Sequence, residues 1–191
     1  MLNELKVGYA ITGSFCTIAE IIPVIRNLVD NGCEVLPILS EVTATTDTRF
    51  TNAKELVTTL EGICGKKVIA SITDAEPIGP KKMIDILVIM PCTGNTLAKL
   101  ANAVTDTSVT MAAKAHLRND GPIVIGISTN DGLGANFKNI GLLMNMKNVF
   151  FVPFKQDAPH GKKNSLVADF NLIIPTILSA MENKQYQPVI M

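Results

Sequence analysis

The chain has 191 residues, with 17 basic and 17 acidic side chains, 47% apolar residues and 18% charged ones. That apolar share argues against a disordered chain, and a balanced charge with no basic run gives no electrostatic footprint for nucleic acid. The four cysteines show no Cys-x-x-Cys spacing and lie far from both histidines, which argues against a zinc site.

No apolar run reaches the roughly 20 residues needed to cross a bilayer. The opening "MLNELKVGYAITGS" carries no charged leader ahead of a long apolar block. The expectation is a cytoplasmic protein with reduced cysteines, engaging neither membrane nor nucleic acid.

In chain order, "KVGYAI" (6–11) reads as a strand. Residues 15–32 place Ile18, Ile21, Ile22, Ile25, Leu28 and Val29 at helical spacing, closed by Asn31-Gly32, with Pro23 inside. "EVLPIL" (34–39) is a strand, 52–64 a helix and "KKVIAS" (66–71) a short strand. A Pro/Gly loop leads to "DILVIM" (85–90), an unbroken apolar strand ended by Pro91. Ala-rich helices follow, interrupted near Asp106. "PIVIGIS" (122–128) is a strand, 133–146 a helix, "VFFVPF" (149–154) a strand and 165–184 a last helix containing Pro175.

Alternating strands and helices with nearly continuous apolar strands predict an α/β fold, a single domain over 1–191. Its core is one open, doubly wound parallel sheet of about six strands, a Rossmann- or flavodoxin-like three-layer sandwich. Ligands of such sheets sit at the carboxyl ends of the strands, so the residues there carry the functional reading.

Thr12-Gly13-Ser14 follows the first strand, where free N–H groups at a helix start favour a phosphate. An ordinary capped turn explains it equally well. Ser40 and Glu41 follow the second strand. Ser40 reads as a helix cap or turn residue. Glu41 could hold a ribose, although the first loop lacks G-x-G-x-x-G. Pro91, Cys92, Thr93, Gly94, Asn95 and Thr96 follow the central strand. One cap explains one of them. A run of small polar residues with an amide that donates and accepts suits the edge of a planar heterocycle. Ser128, Thr129, Asn130 and Asp131 form another small polar cluster, which a turn also explains.

"TGSFC", Ser40, "PCTGNTLAKLA" and "NAVTD", in that order, resemble the homo-oligomeric flavin-containing cysteine decarboxylases, a family that also includes the flavin prenyltransferases. The resemblance runs over about residues 5–155. It implies FMN, with Thr12, Gly13 and Ser14 at the phosphate, Ser40 nearby, and Phe15 also in the cofactor-binding set. Pro91, Cys92, Thr93, Asn95 and Thr96 would lie along the flavin, with Thr129 and Asn130 completing the set. Asn95 is the candidate catalytic residue. The resemblance also implies a homo-oligomer, a trimer or dodecamer.

The chain departs from the family at three places. "TRFTNAKELV" lacks the decarboxylases' histidine. "ISTN" keeps only Asn130 of a later motif. Met111 stands where the prenyltransferases carry arginine. A narrower resemblance, carried by "VPFKQDAPHGKKNSLVADF" (152–170), is to one branch of the family. It implies one component of an oxidoreductase-type synthase, working beside a nicotinamide-dependent, dehydrogenase-like A chain on a small dicarboxylate.

His160, Lys162 and Lys163 lie in the loop of that stretch. They read as solvated surface groups, or as a general base and dicarboxylate-attracting cations. His116 reads as a late-helix residue meeting the helix dipole. Cys16 and Cys92 read as small residues at ligand loops, or as activated thiols.

Overall fold

The computed structural model describes residues 2–191. Five parallel strands form the body of the sheet: β1 (Lys6–Ile11), β2 (Glu34–Leu39), β3 (Ile86–Cys92), β4 (Ile123–Thr129) and β5 (Val149–Phe151). Their spatial order is β2-β1-β3-β4-β5, the flavodoxin-like order. All seven residues of β3 are buried, as a central strand covered on both faces requires.

Beyond Ile125 the edge of β4 changes partner. A short antiparallel hairpin, β6 (Phe154–Gln156) and β7 (Leu166–Ala168), joins it through Ser128 opposite Val167 and Thr129 opposite Leu166. The sheet therefore has seven strands rather than the roughly six parallel ones expected.

Eight α-helices lie in the described residues. They are α1 (Ile18–Asp30), α2 (Glu41–Thr45), α3 (Ala53–Cys64), α4 (Ile72–Ala75), α5 (Gly94–Ala101), α6 (Ser108–Leu117), α7 (Phe137–Met144) and α8 (Ile173–Met181). They pack as α1 against α3, and as α6 against α4 and α5, with α5 also against α7. Ile18, Ile21, Ile25 and Leu28 of α1 are buried at the spacing read from sequence. Pro23 and its fourth preceding neighbour Ala19 are both exposed, so water can take the carbonyl that Pro23 leaves unpaired.

Four expected elements change. The strand at 66–71 is a single bridge between Ile69 and Ile38. Pro91 does not end β3: the strand runs on to Cys92 across a register shift, the kind of irregularity that accommodates a residue without an N–H. The strand at 149–154 splits into β5 and β6. The helix at 165–184 starts eight residues late, because Leu166 and Val167 pair with β4 and Asp169 caps a single 3₁₀ turn (Phe170–Leu172) by accepting the Asn171 N–H at 2.9 Å. Pro175 then falls in the first turn of α8, where no N–H is needed.

Candidate functional site

The carboxyl ends of β1, β3 and β4 are tied together by hydroxyls. Thr12 donates through both its N–H and its hydroxyl to the Pro91 carbonyl, at 3.2 and 2.7 Å, and its hydroxyl accepts the Thr93 N–H at 3.0 Å. Thr12 is 1% exposed and Cys92 fully buried, so both belong to the scaffold beneath the site. Burial pushes the Cys92 thiol well above its ordinary range, the opposite of an activated thiol.

Thr93 caps α5, its hydroxyl accepting the Thr96 N–H at 3.3 Å and pairing with the Thr96 hydroxyl at 3.1 Å. Thr96 is buried. Ser40 caps α2 and pairs with the Thr43 hydroxyl at 2.7 Å. The Glu41 carboxylate accepts the Ser108 N–H at 2.9 Å at the start of α6, so this chain already uses the acid that could have met a ribose.

Between the β1 and β4 ends the Ser14 and Ser128 hydroxyls meet at 2.8 Å. They open onto a cleft of about 860 Å³. Gly13, Ser14, Thr93, Ser128, Thr129 and Asn130 line its floor. Cys16, Thr17 and Glu20 line the α1 side. The hairpin supplies the opposite wall with Lys155, Asp157, Lys162 and Ser165. Lys162 and Asp157 pair at 2.9 Å, and the carboxylate holds the ammonium above the usual lysine range.

Five residues of the expected cofactor set thus share the cleft: Gly13, Ser14, Thr93, Thr129 and Asn130. Thr12, Phe15, Ser40, Pro91, Cys92, Asn95 and Thr96 do not line it. Of these, Asn95 is exposed at the start of α5, and its side chain makes no hydrogen bond to the chain among the described residues. Neither histidine lines the cleft. His160 is exposed on the hairpin loop. His116 lies in the last turn of α6, as the late-helix reading has it, and is buried there beside Pro122 and Asp85 at the amino ends of β3 and β4.

Sequence reading missed the hairpin wall, Lys155, Asp157 and Ser165. "FKQDAPHGKKNSLVA" does carry a hairpin signal, since β-prone ends flank a Pro/Gly-containing turn. It also missed the role of Asp131, which accepts the Thr129 hydroxyl at 2.5 Å and the Asn136 amide at 2.7 Å.

Fold and site together define a class: the chain belongs to the Flavoprotein family, whose model matches residues 1–177. It is 47% identical over 189 residues, 99% of this chain and 94% of the relative, to the B subunit of dipicolinate synthase from Bacillus subtilis (strain 168). Among solved structures it is similar to the B subunit of dipicolinate synthase from Bacillus halodurans. That match has a TM-score of 0.91 and 45% identity over 100% of this chain and 97% of that one. The FMN-dependent cysteine decarboxylase SpaF shares the fold, with a TM-score of 0.65 and 20% identity over 95% of this chain and 99% of that one.

Proposed function

We propose that this chain is a single-domain, FMN-binding B subunit of a dipicolinate synthase, acting during sporulation beside a dehydrogenase-like A chain. The observation that carries this is the 47% identity, maintained over 99% of the chain, to a protein of that name. The reading places it in the cytoplasm as a homo-oligomer. Among the described residues no helix is long and apolar enough to cross a membrane.

The residues at the strand ends fit FMN. The N–H groups of Gly13, Phe15 and Cys16 have no acceptor in the chain among the described residues, and the Ser14 hydroxyl adjoins them. Neutral donors of this kind suit a phosphate. A Cβ at Gly13 would meet only the Phe15 ring at 3.6 Å and Val42 at 3.9 Å, which is ordinary contact. Neither packing nor a positive φ requires glycine there. Close approach of a ligand supplies the reason.

Bound there, the flavin would supply acceptance of a hydride during formation of an aromatic pyridine dicarboxylate. The chain would contribute hydroxyls and amides that hold and orient: Ser14 at the phosphate, Ser40 nearby, and Thr93, Thr129 and Asn130 facing the cleft. Asn95, exposed and without an internal partner, would be the amide free to meet the ring or the substrate. Lys155 and Lys162 would attract a small dicarboxylate to the mouth.

The test is the visible spectrum of the purified chain, followed by mass analysis of whatever denaturation releases. FMN in near-equal amount to protein supports the reading. A colourless chain that also ignores added FMN overturns the flavin part. Asn95→Ala is expected to leave the melting temperature unchanged while weakening FMN binding or turnover.

A second reading is a partner protein that stabilises the A chain without taking part in the chemistry. The missing family histidine and the Met111 position favour it. An A chain that reaches its full rate alone would support it.

A further inference from the structure

Asp131 does not line the cleft, yet it governs a residue that does. Its carboxylate can only accept hydrogen bonds. One oxygen takes the Thr129 hydroxyl at 2.5 Å and the other the Asn136 Nδ2 at 2.7 Å. The second contact fixes the Asn136 amide, so its Oδ1 must turn to the Asn139 Nδ2, which it meets at 2.8 Å. Asn139, 4% exposed, is left with an Oδ1 that finds no partner. One acidic group thus sets the polarity of a whole buried chain of amides, and the misfit is passed to its far end. The Asp131 carbonyl adds backbone closure, accepting the Gly134 and Asn136 N–H groups at 3.0 and 3.2 Å.

The same carboxylate is set against α5. A Cβ at Gly94 would lie 2.5 Å from Asp131 Oδ1 and 2.7 Å from Thr129 Oγ1. The Thr129, Asp131 and Asn136 side chains therefore press directly on the Gly94 backbone at the start of α5, leaving no room for a Cβ there.

We propose that Asp131 is a positioning residue of the cleft: it holds the Thr129 hydroxyl proton and thereby makes Thr129 an obligate acceptor, which selects ligands that offer an N–H or O–H donor at that point of the floor. The ligand class rests on the flavin reading above. FMN carries such donors in its ring imide and its ribityl hydroxyls. The positioning itself is a property of the chain alone.

The experiment has two readouts on the same full-length variants, Asp131→Ala, Thr129→Val, Thr129→Ser and the Asp131→Ala/Thr129→Val pair. Alanine removes the acceptor, which asparagine would keep. In ligand-free protein, hydrogen exchange at Leu133, Gly134 and Asn136, whose N–H groups are bonded within the chain, should speed up about tenfold in Asp131→Ala, while the β1 and β3 amides stay protected. FMN titration should show about tenfold weaker binding for Asp131→Ala and for Thr129→Val, retention in Thr129→Ser, and no further loss in the pair, since both act through one hydrogen bond. Unchanged exchange in Asp131→Ala overturns the positioning role whether or not FMN binds. Additive losses in the pair overturn the route through Thr129. Wild-type protein that ignores FMN sinks the flavin reading alone, and the exchange result still decides the role of Asp131.

Discussion

The Ser14 and Ser128 hydroxyls meet at 2.8 Å, joining the end of β1 to the end of β4 across the strand between them. Only one of the two can donate in that contact. The other keeps its proton for the cleft, so the pair offers a ligand one donor and the remaining lone pairs. Ser128→Ala leaves Ser14 free to turn. It should weaken FMN binding about three- to tenfold and lower the melting temperature by less than about 3 °C. Isothermal titration and calorimetry read both, and unchanged affinity would remove the pair from the site.

The two glycines at the site should behave oppositely. A Cβ at Gly94 would collide with Asn136 Nδ2, so Gly94→Ala must push the loop after β4 away, at about 1–3 kcal/mol. A Cβ at Gly13 meets nothing closer than 3.6 Å. Gly13→Ala should keep the melting temperature of the ligand-free chain and lose FMN affinity. A large stability loss in Gly13→Ala would return that glycine to the scaffold. Gly62, in α3 with nothing within 4 Å of its Cβ position, is the control: Gly62→Ala should stabilise by about 0.5–1 kcal/mol.

Burial pushes the His116 imidazole below its ordinary range, against the opposing pull of the Pro122 carbonyl and of Asp85. The fold therefore favours the neutral ring. Below about pH 6.5 the unfolded chain takes up a proton that the folded chain resists, so stability falls as pH drops through and below that value. Denaturant titrations from pH 7.5 to 5.5 should show this slope. His116→Gln should be less stable throughout yet flatter over the same window. An equally steep variant would assign the slope to other groups.

Thiol labelling should separate the cysteines. Cys16 is exposed and faces the cleft, whereas Cys33 and Cys92 are buried. The Cys64 thiol is half-buried and pushed up to about 11. A thiol reagent at pH 8 should modify Cys16 first and Cys92 only on unfolding. Ligand in the cleft should slow Cys16 alone, and equal rates for Cys16 and Cys92 would contradict the burial.

What was legible in the sequence was local. Ile18, Ile21, Ile25 and Leu28 announce α1 because helical spacing is written within a dozen residues. A capping residue was expected in the segment after the central strand, and Thr93 supplies it for α5; Ser40 caps as one of its two readings foresaw. What was not legible depends on distant partners. "SLVADF" looks helical until Ser128 and Thr129, nearly forty residues upstream, pair with Leu166 and Val167. Pro91 looks like a strand end until Thr12 takes its carbonyl. The small polar cluster proved to be two populations. Thr12, Cys92 and Thr96 are turned inward to join elements, while Asn95 and Asn130 are left exposed.

The tip of the β6–β7 hairpin is held mainly by its own atoms. Gly161 and Lys162 donate to the Ala158 carbonyl, Lys162 pairs with Asp157, and the Gln156 amide takes the Lys163 carbonyl. The parallel strands contribute nothing to these bonds. Residues 158–163 are thus an exchangeable module, where length and charge can drift, or be grafted by design, to retune what the cleft admits while the sheet beneath keeps its register.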